Sequence, residues 1–321
     1  MISGAWIEEA KNRLEGKIRK TPLTYDSKLD VYLKWENLQN TGAFKIRGAL
    51  NKFLSLETWE QERGLVAASA GNHGLGVAYT ARLLGTKATI FIPENSVENK
   101  EKMMREYGAV VVKVSGNYTE AEKEAQAFAI KKGSTWISPY NDGQVIAGQA
   151  TLGLEIVDQI DPFDASACVV PVSGGGLIAG IGSAFRHLHK NIKLIGVQSK
   201  NSSYFYSLYQ YGSQKEVIES PSIADGLSGA IEKNSITIPL VRSMLDDFIL
   251  VDEEEIEQAI VYCYVRFGQI IEGSAAVPLA AILSHKISFP KCVLIISGGN
   301  IQLELHSKLC ERWKDMIIQN D

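Results

Sequence analysis

The stretch "VVPVSGGGLIAGIG", Val169 to Gly182, decides the fold class. It reads as an apolar strand, a turn through Ser173, Gly174, Gly175 and Gly176, and a helix entered through Leu177. Three consecutive glycines cost conformational entropy, so they imply a backbone that needs close approach or positive φ. An anion held by amides at the helix N-terminus meets that need; a tight turn without a ligand is the alternative.

The same order of strand, turn and helix repeats almost from end to end. Strand-like runs are "VYLKWE", "GLVAAS", "KATIFIP", "AVVVKVS", "TWISP", "ACVVPVS", "KLIGVQS", "FILVD" and "KCVLIISG". Helical runs follow most of them, including Asn72 to Leu84, Val97 to Tyr107, Tyr118 to Lys131, Gln144 to Ile160 and Leu177 to Leu188. This alternation predicts an α/β protein of open, mostly parallel sheets covered by helices. Several strands end in Ser or Gly directly before a helix, and ligands of such sheets bind at those carboxyl ends.

Two further turns share this design. "AASAGNHGLGVAY" puts Ser69, Ala70, Gly71, Asn72 and His73 between a strand and a helix, where backbone amides suit a carboxylate or phosphate. "LIISGGN" ends in Ser297, Gly298, Gly299 and Asn300 and reads either as a capped helix start or as a ligand contact. In "TGAFKIRGAL", Thr41 and Gly42 suit a helix start, and Lys45 stands between Phe44 and Ile46. That lysine is either a snorkelling surface residue or an amine kept dry for chemistry. Gly174, Gly176 and Ala179 also satisfy G-x-G-x-x-A, which raises a nicotinamide-dependent oxidoreductase. The next strand, however, ends "GVQSK", with Gln198, Ser199 and Lys200 where an acid would hold the ribose.

The 321 residues suffice for two α/β domains, and 45% hydrophobic with 22% charged residues describes a globular chain. A formal charge of -4 and no long basic block give no footprint for nucleic acid, which leaves small molecules as the expected partners. Cys168, Cys263, Cys292 and Cys310 lie far apart without metal-ligand spacing and read as reduced thiols of a cytoplasmic protein. The opening "MISGAWIEEAKNRLEGKIRKTPL" reads as an amphipathic helix rather than a signal peptide, and no apolar segment reaches the length of a membrane span.

Taken in order, "ENLQNTGAFKIRGA", "SAGNHG", "VIAGQATLGLEI", "VPVSGGGLIAG", "SIADGL" and "SGGN" resemble the pyridoxal-phosphate enzymes of the tryptophan-synthase β-subunit fold (fold type II). The resemblance is specifically to the serine/threonine dehydratase and serine racemase family. It implies that Lys45, beside Phe44, holds the pyridoxal 5'-phosphate covalently and later removes the substrate Cα proton. It further implies that the amides of Ser173 to Leu177 hold the cofactor phosphate, that Asn72 bonds the ring hydroxyl, and that Ser297 faces the pyridine nitrogen. Gly226 and Glu272 match positions near the cofactor, although Glu272 also suits a helix cap. Ser69, Ala70, Gly71, Asn72 and His73 match the segment that receives the substrate carboxylate.

The implied reaction is dehydration and deamination of L-threonine or L-serine to a 2-oxo acid and ammonia. Alternatives are a dehydratase or β-replacement enzyme for another β-hydroxy amino acid such as 3-hydroxyaspartate, a serine racemase, and a catalytically silent binding protein. Racemases of the family carry serine where this chain has Ala70, and alanine cannot transfer a proton. Their divalent-cation ligands match Gln198 and Tyr204 here, so no metal site is expected. Tyr140 stands where racemases have asparagine, and Ala43 replaces the usual serine. The resemblance also implies a large cofactor-binding domain of residues 1–45 plus 142–321, a small mobile domain of residues 46–141, and a homodimer. No regulatory domain is expected after the last packing helix.

Overall fold

A computed structural model describes residues 2–96 and 98–320. Met1 and Asp321, which bound the expected large domain, and Val97, which opens the expected helix to Tyr107, lie outside the described residues; that helix is described as Glu98–Glu106.

In chain order the strands are β1 (Leu23–Asp26), β2 (Val31–Trp35), β3 (Leu65–Ala68), β4 (Ala88–Pro93), β5 (Val110–Val114), β6 (Thr135–Trp136), β7 (Ala167–Pro171), β8 (Lys193–Ser199), β9 (Asp247–Val251) and β10 (Cys292–Ile296). They assort into a sheet of order β1-β2-β10-β7-β8-β9 and a sheet of order β5-β4-β3-β6. Every pairing is parallel except that of β1 with β2. The nine expected strands are all present. The edge strand β1 was not expected: its "LTYD" has no buried residue and is too short to show a period.

Side chains alternate across each strand, and both faces are apolar, as parallel sheets require. In β3, Leu65 and Ala67 pack with Leu75, Val77 and Met104, while Val66 and Ala68 pack with Ala121, Ala125 and Ala129 of the helix Tyr118–Lys132. In the larger sheet, Cys168, Val170, Val293 and Ile295 face the helices Gly143–Gln159 and Gly176–His187. Val169, Leu294 and Ile296 face Glu253–Phe267 and Gly273–Leu283. The N-terminal segment is helical as expected, over Gly4–Leu14, and it buries Ile7, Ala10 and Leu14.

The helix Lys45–Leu54 joins the two sheets. It lies backbone against backbone on Gly143–Gln159, since a Cβ at Gly148 would stand 2.4 Å from the Arg47 carbonyl. The helix begins at Lys45 rather than at Thr41 or Gly42, because Gly42 has φ of 71° and Ala43 makes an antiparallel bridge with Gly298.

A buried charge network fixes this crossing. Arg47 is fully buried and donates to Glu36 at 2.7 and 2.8 Å and to Glu155 at 2.7 and 3.0 Å. Lys34 of β2, also fully buried, donates to Glu155 at 2.6 Å and to the Thr21 carbonyl at 2.8 Å. Arg47, Glu36 and Lys34 have lost their water and Glu155 most of it, so each depends on its partners. Together they pin β2, the Lys45 helix and Gly143–Gln159 to one another.

Candidate active site

The parallel order places the ends of β7 and β10 side by side, so the glycine turn after β7 and the Ser297 turn after β10 share one sheet edge. The chain before Lys45 is laid onto that edge by three contacts. The Phe44 amide donates to the Ser297 carbonyl at 3.1 Å, the Gly299 amide donates to the Gly42 carbonyl at 2.9 Å, and Ala43 bridges Gly298. Lys45 is thereby delivered to the edge formed by the ends of β7 and β10. Its ammonium lies 5.2 Å from the Phe44 ring centroid and donates to the Pro139 carbonyl at 3.0 Å. Burial pulls its pKa down to about 8, against the opposing pull of Glu272. A neutral, nucleophilic amine is therefore accessible near neutral pH.

The glycine turn enters the helix Gly176–His187 through Gly175, whose φ of 83° excludes most side chains. A Cβ at Gly174 would stand 2.3 Å from the Tyr140 ring. The amides of Gly174 to Leu177 have no acceptor among the described residues. Tyr140 itself accepts from the Glu232 amide at 3.0 Å, and burial raises its hydroxyl pKa.

Opposite this edge, the turn after β3 carries Ser69 to His73. Ser69 Oγ accepts from the Gly71 amide at 3.1 Å, while the amides of Ala70, Asn72 and His73 find no acceptor among the described residues. The His73 ring points away from this work: it is buried, contacts the Ile137 carbonyl at 2.8 Å, and has a pKa lowered to about 3 by burial and then by Lys45. Only its backbone can serve a carboxylate.

Asn72 sits between three partners. Its Nδ2 donates to Glu272 Oε1 at 2.6 Å, and its Oδ1 accepts from Asn300 Nδ2 at 2.8 Å. Glu272 is buried at the start of Gly273–Leu283, and burial lifts its pKa to about 7. Lys100 and Asp225, an ion pair at 3.8 Å, also act on it. Gly226 lies beside this group, where a Cβ would stand 2.8 Å from Ser274 Oγ. Ser297 is buried at the end of β10.

The structure thus brings the amine, both amide-rich turns and Asn72 together. Sequence reasoning missed the Pro139 carbonyl, which no side chain announces. It left Asn300 undecided, whereas Asn300 does not begin a helix but bonds Asn72 and the Thr41 carbonyl.

At the positions matched to a divalent-cation site, Gln198 Oε1 accepts from the Tyr206 amide at 3.1 Å. Among the described residues no cluster of three or more His, Cys, Asp or Glu could hold a metal, and no helix is long and apolar enough to cross a membrane. All four cysteines are free.

The residues fit pyridoxal phosphate chemically: a half-buried amine of lowered pKa for its aldehyde, unclaimed helix-start amides for its phosphate, and a fixed side-chain amide in the same site. Comparison with known proteins agrees. The chain is 40% identical over 322 residues to an L-threonine ammonia-lyase of Geobacter sulfurreducens, covering 97% of this chain and 79% of the relative. It is 42% identical over 324 residues to a catabolic L-threonine dehydratase of Staphylococcus aureus, covering 97% and 92%. Its fold matches that of maize serine racemase with a TM-score of 0.87 at 31% identity, over 99% of this chain and 98% of the other. The family model described as "Pyridoxal-phosphate dependent enzyme" matches residues 14–298. By that match and these identities, the chain belongs to the pyridoxal-phosphate-dependent enzymes.

Proposed function

We propose that this enzyme is an L-threonine and L-serine ammonia-lyase, releasing 2-oxobutanoate or pyruvate together with ammonia. The observation that carries the reading is a half-buried lysine of lowered pKa held between two turns rich in free amides, with alanine at position 70. Pyridoxal phosphate, when bound, supplies an electron-withdrawing ring that acidifies the substrate Cα–H. Lys45 would hold the cofactor, and its Nζ, as a free amine, would take the Cα proton. The amides from Ser173 to Leu177 would bind the phosphate, and Asn72 would meet the ring oxygen. The Ser69 to His73 turn orients the carboxylate through its backbone, since the His73 ring is committed elsewhere. Ser297 offers the ring nitrogen a neutral hydroxyl, which does not enforce its protonation, so loss of the β-hydroxyl competes well.

The names of the relatives support threonine as substrate. A serine racemase shares the fold, but Ala70 has no proton to give to the second face. The same reading divides the chain into residues 1–45 plus 142–321 and residues 46–141, a division supported by the two separate sheets. Movement of the smaller part would exclude water. A homodimer in the cytoplasm completes the proposal; exposed Tyr211 and Ile218 and the four free cysteines support it. The test is a panel of β-hydroxy amino acids scored for 2-oxo acid and for D-serine. Fastest release from threonine or serine is expected. Preference for 3-hydroxyaspartate, or D-serine formed as fast as pyruvate, would overturn the assignment.

A further inference from the structure

Asn72, Glu272 and Asn300 form a side-chain chain whose direction is fixed by its ends. Asn300 Nδ2 donates both to the Thr41 carbonyl at 2.9 Å and to Asn72 Oδ1 at 2.8 Å. Turning the Asn300 amide over would set its oxygen against two oxygens. The oxygen of Asn72 must therefore face Asn300, and its nitrogen must face Glu272, as the 2.6 Å contact requires. One N–H of Asn72 remains unassigned.

Glu272 is itself held in place. Its backbone amide donates to the Gly298 carbonyl at 3.2 Å, and a Cβ at Gly298 would stand 2.6 Å from Glu272 Oε1. The carboxylate fills the space that the glycine leaves. We infer that Glu272 is a positioning residue: with Asn300 it locks Asn72 so that the remaining N–H is presented as a donor to an oxygen anion on the cofactor ring. This inference rests on the reading above that Asn72 meets that ring oxygen.

The arrangement favours the deprotonated ring oxygen, because Asn72 can give it a hydrogen bond and has no acceptor turned toward it. The lock depends on Glu272 being an acceptor. The charged groups acting on that carboxylate are Lys45, Lys100 and Asp225, and its pKa near 7 makes the lock pH-sensitive in the neutral range. Ionised Glu272 accepts from Asn72 with the strength of a charge-assisted bond. Protonated Glu272 accepts more weakly.

The experiment uses cofactor-free protein titrated with pyridoxal phosphate, in four forms: wild type, Glu272→Met, Asn72→Ala and the double variant. Affinity is read from the visible absorbance. The ratio of the long- and short-wavelength bands reports whether the ring oxygen carries a proton. Glu272→Met is expected to weaken binding about tenfold, the loss of one hydrogen bond to a charged partner. Asn72→Ala is expected to weaken it as much or more. The double variant should resemble Asn72→Ala alone, since Glu272 acts through Asn72.

The band ratio of wild type should change with pH around neutrality, and that of Glu272→Met should not. Glu272→Gln, which keeps the shape and an acceptor but not the charge, should bind with intermediate affinity and also show a flat ratio. It provides the same readout should the methionine variant fold poorly. Additive losses in the double variant would mean that Glu272 touches the cofactor directly, and would overturn the inference. So would unchanged affinity and band ratio in Glu272→Met and Glu272→Gln while Asn72→Ala binds weakly. Unchanged binding by Asn72→Ala would overturn both the inference and the role given to Asn72.

Discussion

Replacing Lys45 with Met tests the burial of the amine and its chemistry together. An unfolded chain holds a lysine near its ordinary pKa of about 10.4, whereas in the folded protein burial brings Lys45 to about 8. Because the folded value is the lower one, folding is opposed wherever this amine is protonated. The penalty is complete below about pH 8 and fades as pH rises toward the unfolded value. A gap of about 2.4 pH units at about 1.4 kcal/mol each gives roughly 3 kcal/mol. Losing the bond to the Pro139 carbonyl returns about 1 kcal/mol. Methionine has the length to fill the space, which leaves a gain of about 2 kcal/mol near pH 7. For 321 residues that gain corresponds to about 3 °C in melting temperature. The assay compares melts of cofactor-free wild type and variant near pH 7 and near pH 10, with 2-oxo acid release from threonine measured beside them. The variant should melt higher only at the lower pH and should release no product above background. A variant that melts no higher than wild type near pH 7 and still turns over threonine would show that the amine is neither buried nor used.

Three other substitutions probe separate features. Arg47→Met removes the cation between Glu36 and Glu155 and should cost about 3–5 kcal/mol, read as a lower denaturation midpoint. An unchanged midpoint would mean that the network is solvated. Gly148→Ala drives a methyl group to 2.4 Å from the Arg47 carbonyl and should destabilise by about 1–3 kcal/mol in the same assay. Ala70→Ser supplies a hydroxyl able to carry a proton, so D-serine formed from L-serine should rise about tenfold or more relative to pyruvate, as measured by chiral chromatography. A constant ratio would remove Ala70 as the reason for disfavoured racemisation.

The strands and the anion turns were legible because they depend on local pattern: apolar runs of strand length and clustered glycines state their own geometry. Lys45 was ambiguous alone, since the sequence around it does not say whether Phe44 covers the amine or lies beneath it. The buried charges were not legible at all. Lys34, Glu36, Arg47 and Glu155 have the composition of a solvated surface, and only the crossing of β2 with two helices removes their water. His73 misled in the opposite sense: its place in the turn promised a substrate contact, but its ring turns toward the Ile137 carbonyl, just past β6. The Pro139 carbonyl and the Asn300 side chain enter the site through tertiary contacts that no local period encodes.

The seating of Gly42 to Phe44 on Ser297 to Gly299 joins early and late portions of the chain. The amine should therefore stay in water, ordinarily basic and protonated, until β10 has formed and docked. A chain in which β10 has not docked should hold an aldehyde at this lysine poorly, so competence for the cofactor should depend on that late docking. An otherwise intact polypeptide lacking everything after about residue 290 should retain the small sheet yet show a Lys45 no more nucleophilic than any exposed lysine.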